Sequence, residues 1–126
     1  MAKTALVTGA SSGIGREIAR DLSARGFRVI LSARREERLR ELAEELGDNT
    51  RVIVCDVSDR EECLRLYEET KSEKISVLVN CAGFGAVGSF DKLPLDTELK
   101  MIDTNVTAVH MLTKLFLTLL PLTGVI

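Results

Sequence analysis

A chain of 126 residues with formal net charge −2, 45% hydrophobic and 29% charged residues has the profile of one globular domain with a modest core. The near balance of charge leaves no basic footprint for nucleic acid, and no run is long and apolar enough to span a membrane. The opening MAKTALVTG passes within a few residues into an apolar run, without separate n-region, h-region and cleavage site, and reads as a cytoplasmic start.

Short apolar runs then alternate with longer charged segments of helical period. TALVT at 4–8, RVILS at 28–32, RVIVC at 51–55 and ISVLVN at 75–80 are rich in Val, Ile and Leu and predict buried strands. Between them Ile14, Ile18 and Leu22 recur at helical spacing, as do Leu39, Leu42 and Leu46, and then Cys63, Leu66, Tyr67 and Thr70. Gly26 and Gly47 stand where helices end, and Ser58 followed by Glu61 and Glu62 marks a helix start. The β-α-β-α-β-α-β order predicts a doubly wound parallel sheet with helices on both faces, three layers in all. Further on, FGAVGSF at 84–90 predicts a loop, residues 91–102 a helix, and NVTAVHMLTKLFLTLL at 105–120 an apolar helix ended by Pro121. The final TGVI reads as the opening of a fifth strand, so the fourth is expected to present an unpaired edge.

TGASSGIG at 8–15 lies between the first strand and the first helix. Gly9, Gly13 and Gly15 permit a sharp turn and close approach of a ligand, and the helix N-terminus offers free N–H groups to a pyrophosphate. The G-x-x-x-G-x-G spacing differs from the common G-x-G-x-x-G, and it is the strand, loop and helix context that favours a dinucleotide. After the second strand comes SARRE, where Ala33 occupies the place of the acid that binds a ribose 2′-OH, followed by Arg34 and Arg35. A missing carboxylate and an available guanidinium favour NADP(H), with Arg34 on the 2′-phosphate; Arg35 reads equally well as solvating the second helix. Cys55, Cys63 and Cys81 contain no C-x-x-C pair and read as small hydrophobes, and the lone His110 reads as structural, so no metal site is expected.

YEETK at 67–71 holds the chain's only tyrosine, four residues before a lysine, the spacing by which a lysine can lower a phenol's pKa. Tyr67 also continues the apolar stripe of Cys63, Leu66 and Thr70, which points its ring at the sheet. The packing reading is the stronger.

TGASSGIG, SARR, CDV at 55–57, NCAG at 80–83 and Asn105 in MIDTNVTA resemble, in order and spacing, the N-terminal half of a classical short-chain dehydrogenase/reductase. The resemblance implies a Rossmann-like fold over residues 1–126, one NADP-binding domain truncated at the start of the fifth strand. It implies that Gly9, Ser11, Ser12, Gly13, Ile14 and Gly15 surround the pyrophosphate and adenosine ribose, and that Asp56 hydrogen-bonds the adenine amino group beside the Val57 backbone. Asn80, Ala82 and Gly83 would border the adenosine side, with Cys81 in place of the family's usual second asparagine. Asn105 corresponds to the helix asparagine whose backbone holds a water in the proton relay. The family transfers hydride between nicotinamide and a carbonyl or alcohol, using a serine, tyrosine and lysine that would lie beyond residue 126, so this chain by itself is expected to be catalytically silent. The alternative is a non-catalytic dinucleotide-binding or self-assembling module. The family's corresponding helix commonly forms a subunit interface, which implies a homodimer through 105–120, by way of Val109, Leu112, Phe116 and Leu120.

Overall fold

The computed structural model describes residues 3–119 and 124–126. Among the described residues five parallel strands form one sheet: β1 (Thr4–Thr8), β2 (Arg28–Ala33), β3 (Thr50–Val54), β4 (Ile75–Asn80) and β5 (Gly124–Val125), in the order β3-β2-β1-β4-β5. The helices are α1 (Gly13–Ala24), α2 (Glu36–Leu46), α3 (Arg60–Thr70), α4 (Leu95–Ile102) and α5 (Ala108–Leu119), with a π-helical turn at Asp103–Thr107 joining the last two.

Side chains alternate across each strand, so the sheet has two apolar faces. Ala5, Val7, Val29 and Leu31 meet Ala19 and Leu22 of α1 and Leu39 and Leu42 of α2. Leu6, Ile30 and Leu78 meet Cys63, Leu66 and Tyr67 of α3 and Leu112 and Phe116 of α5. The three layers expected from the sequence are present. The central strands are continuous apolar runs because both their faces are covered. β3 is an edge strand and is more open, with Arg51 half-buried and Val54 exposed.

Tyr67 is buried, and its ring stands edge-on to Phe116 at 5.1 Å between centroids. Lys71 lies past the end of α3 and pairs with Glu68 at 2.6 Å, which raises its pKa. The two residues of YEETK that suggested chemistry are thus a core aromatic and a surface ion pair.

Several local expectations are corrected. The stripe of α1 that meets the sheet is Gly15, Ala19 and Leu22; Ile14 is 75% exposed. The helix lies so near the loop carbonyl of Gly9 that a Cβ on Gly15 would strike it, so the facing position must be the glycine. The cap of α3 is Asp59, which accepts from the Glu61 N–H at 2.9 Å, and not Ser58. Helix α4 begins at Leu95 rather than at 91, because Pro94 keeps the preceding residue out of helical conformation, and residues 89–93 make a separate turn. β4 is not left unpaired: Val77 and Leu78 register with Gly124 and Val125, and the Ile126 N–H donates to the Leu78 carbonyl at 2.8 Å. Leu112 and Phe116, expected in a subunit interface, are buried inside the molecule; Leu120 and Pro121 lie outside the described residues.

At the amino ends of the strands the Glu73 carboxylate, 15% exposed, accepts Arg28 on one oxygen and Arg51 on the other. One side chain thereby joins β2, β3 and the turn before β4.

Phe116→Ala is expected to cost about 3–5 kcal/mol in urea denaturation, the range for emptying a buried aromatic site, and Tyr67→Phe about 1 kcal/mol or less. Lys71→Ala should leave the midpoint in place.

Candidate functional site

Strands β2 and β3 lie on one side of β1 and β4 on the other, so the loops after β1 and β4 run apart and leave a crevice at their carboxyl ends. The turn after β1 is drawn onto the end of β4. Gly9 has φ +64°, and a Cβ there would stand 2.5 Å from the Cys81 carbonyl oxygen, so the position excludes every side chain. Thr8, buried at the end of β1, locks the contact: its hydroxyl donates to the Val79 carbonyl at 3.3 Å and accepts from the Cys81 and Ala82 N–H groups at 3.2 and 3.3 Å. Sequence reasoning left Thr8 unassigned, although it opens the glycine motif.

Helix α1 starts behind this turn. Its N-cap Ser12 is extended and makes no side-chain hydrogen bond to the first turn, and no acidic residue stands there. The first N–H groups and the positive dipole end are therefore free for an anion. Gly13, at φ +56° with open space around it, completes the turn.

At the ends of β2 and β3 the walls differ in charge. Ala33 is buried, with exposed Arg34 and Arg35 following it, so no carboxylate faces a 2′-phosphate from β2. Asp56, after β3, accepts from the Ser58 N–H at 3.0 Å and the Ser58 hydroxyl at 2.7 Å. Burial alone would raise its pKa, but those hydrogen bonds and the nearby charges of Arg34 and Lys100 more than offset it and hold the carboxyl below the ordinary range. Ser58 thus anchors Asp56 instead of capping α3. Burial pushes the Cys55 thiol up to about 12 and Cys63 to about 11, and raises Cys81, so none offers a thiolate near neutral pH.

On the β4 side, the Asn80 amide donates to the Thr113 hydroxyl at 3.3 Å and its backbone N–H to the Ile126 carbonyl at 2.6 Å. Asn105 sits in the π-helical turn, a distortion frequent at functional sites. Its amide accepts the Phe84 N–H at 3.0 Å and donates to the Phe84 carbonyl at 2.8 Å, and a Cβ on Gly83 would lie 2.9 Å from its Oδ1. The Asn105 side chain therefore fixes the course of the chain leaving β4.

All twelve residues expected to hold the cofactor line a single open cleft of about 570 Å³; Asn105 stands behind its wall. Ser32, Ala33 and Thr104 also line it and were not expected as ligand contacts. Tyr67 does not. Among the described residues no cluster of His, Cys, Asp or Glu is arranged to hold a metal ion, and no helix is long and apolar enough to cross a membrane.

A short chain dehydrogenase family model matches residues 3–125, and the chain belongs to that family of Rossmann-fold oxidoreductases. It is 40% identical over 110 residues to an uncharacterized oxidoreductase of Staphylococcus saprophyticus, covering 82% of this chain and 47% of that protein. It is 38% identical over 112 residues to a 3-oxoacyl-(acyl-carrier-protein) reductase of Rickettsia conorii, covering 89% and 46% respectively. Among solved structures, the alcohol dehydrogenase of the archaeon Thermococcus sibiricus complexed with 5-hydroxy-NADP superposes with a TM-score of 0.87 at 32% identity, over 94% of this chain and 53% of that one. The chain spans about half the length of the curated relatives it matches.

Because its folded pKa is depressed, Asp56 contributes stability that is complete above its unfolded value, about 3.9, and is lost as pH falls through the lower folded value. Ser58→Ala should move the Asp56 carboxyl back up toward the ordinary value in a ¹³C NMR titration and begin that loss at higher pH. An unchanged titration would show that the Ser58 hydroxyl does not hold the carboxylate.

Proposed function

We propose that this chain is the NADP(H)-binding portion of a short-chain dehydrogenase/reductase that moves hydride between nicotinamide and a carbonyl or alcohol. The observation that carries the reading is the cleft itself. An uncapped helix N-terminus suited to a pyrophosphate, a carboxylate suited to an amino group and an exposed guanidinium on a strand end that carries no acid line the same cavity. The pyrophosphate would lie on the Gly9–Gly15 turn with Ser11, Ser12 and Ile14 around it. The 2′-phosphate would meet Arg34, the adenine amino group Asp56 and Val57, and Asn80, Ala82 and Gly83 would border the adenosine. NADP(H) when bound would supply the hydride. Through the Phe84 backbone, the Asn105 side chain would hold the wall on the β4 side, and its own backbone would hold the relay water. The sole tyrosine is locked under α5, so the chain by itself would bind cofactor without turning over a carbonyl.

Titration calorimetry should show NADP+ binding more tightly than NAD+, with Arg34→Ala erasing at least about tenfold of that preference, the scale of one charge-assisted contact. Equal affinity for the two cofactors, or no effect of Arg34→Ala, would refute the assignment. NADPH-dependent carbonyl reduction by this chain, abolished by Tyr67→Phe, would refute its silence.

A self-assembling role is favoured by one further observation. With Leu112 and Phe116 turned inward, Leu95, Leu99, Ile102, Val106 and Leu117 remain exposed along α4, the π-helical turn and α5, Val106 at 61% and Leu117 at 55%. A homo-oligomer would use this outer row. Sedimentation equilibrium should show concentration-dependent association that Val106→Asp weakens, and a clean monomer at high concentration would count against it.

A further inference from the structure

Ser32, at the carboxyl end of β2, is 1% exposed and lines the cleft. Its carbonyl accepts the Ala10 N–H at 3.1 Å, but its hydroxyl oxygen is shielded and has no hydrogen-bond partner. The other buried side-chain polar atom without a partner among the described residues, Arg16 Nε, belongs to a half-buried side chain that does not line this cleft.

Two buried hydroxyls elsewhere in the fold are used. Thr8 makes three contacts across β1 and β4, and the Thr70 hydroxyl donates to the Leu66 carbonyl at 2.8 Å. Folding removes such a group from water at a cost, which is recovered only if something bonds to it. Alternation along β2 places Ser32 on the same sheet face as Ile30, the face that carries Cys55 and Val57 beyond β3. Asp56 lies between those two residues in the chain, and Thr104 comes to the same cleft from the π-helical turn.

We propose that Ser32 is a ligand-contacting residue, its hydroxyl kept for an acceptor atom of the adenosine moiety of a bound adenine nucleotide. The inference rests on the reading of the cleft as a dinucleotide site. The hydroxyl gains a partner only when the nucleoside is seated, so its desolvation burdens the free protein and is relieved in the complex. A residue retained only for packing would behave differently, because alanine would then cost nothing in binding.

The test pairs thermal unfolding of the free chain with calorimetry against 2′-phospho-AMP, using the unmodified protein, Ser32→Ala and Arg34→Ala. Ser32→Ala is expected to raise the unfolding midpoint by about 2–6 °C and to weaken 2′-phospho-AMP by about five- to thirtyfold. A lowered midpoint would mean the hydroxyl is satisfied within the free protein, by an enclosed water, and would overturn the proposal. So would unchanged affinity in Ser32→Ala while Arg34→Ala binds more weakly, a result that leaves the cofactor reading standing. If the unmodified chain binds neither 2′-phospho-AMP nor NADP+, the cofactor reading fails and this inference with it.

Discussion

The backbone of Gly9 presses against the carbonyl of Cys81, and the cleft depends on that approach. The two strands involved are neighbours in the sheet, but their loops leave in opposite directions, so only a turn without a side chain can lie down at the junction. The Thr8 hydroxyl makes the junction specific by serving three backbone groups of the other strand at once. With the turn pinned there, α1 must begin close behind it. Gly15 then becomes its inner face, and the free N–H groups of its first turn point into the crevice. The remaining walls follow from the strand order, since β2 and β3 end beside the same opening.

That junction also gives the cleft its electrical layout. One region presents unpaired N–H groups and the exposed Arg34 guanidinium, with no acid on its own strand end to compete for a phosphate. The other presents one carboxylate, held ionised by Ser58 and two nearby cations. A ligand with phosphates at one end and an exocyclic amine at the other is complementary to both. The cleft's thiols are kept protonated by burial and add no reactive group of their own.

Much of this was legible in the sequence, and the reasons for success and failure are physical. Strands β1 and β4 could be delimited to the residue because each is centred on a short Val- and Leu-rich run, fully buried in β1 and half-buried or better in β4. The glycine turn was legible because its need for absent side chains is a need for one residue type. Ile14 misled because helical spacing defines a broad stripe and cannot tell which of two adjacent residues touches the sheet; the contact with Gly9 decided for Gly15. Leu112 and Phe116 were given to an interface because an apolar helix does not announce which side its own domain covers. Asp59 took the cap expected of Ser58 because either residue type can cap, and Ser58 donates to Asp56 instead. Thr8 and Asn105 act on partners 71 and 21 residues away, and no local pattern reveals such a pairing.

Glu73 lies at the other end of the sheet from all of this. Its carboxylate gathers Arg28 and Arg51, so three stretches far apart in the chain meet at one point where the strands begin. The cleft opens where the strands end, in loops that no part of that cluster enters. Substitutions that retune the charges of the lower cluster therefore need not disturb the loops that line the cleft. The sheet between them acts as insulation, so that the two ends can change independently.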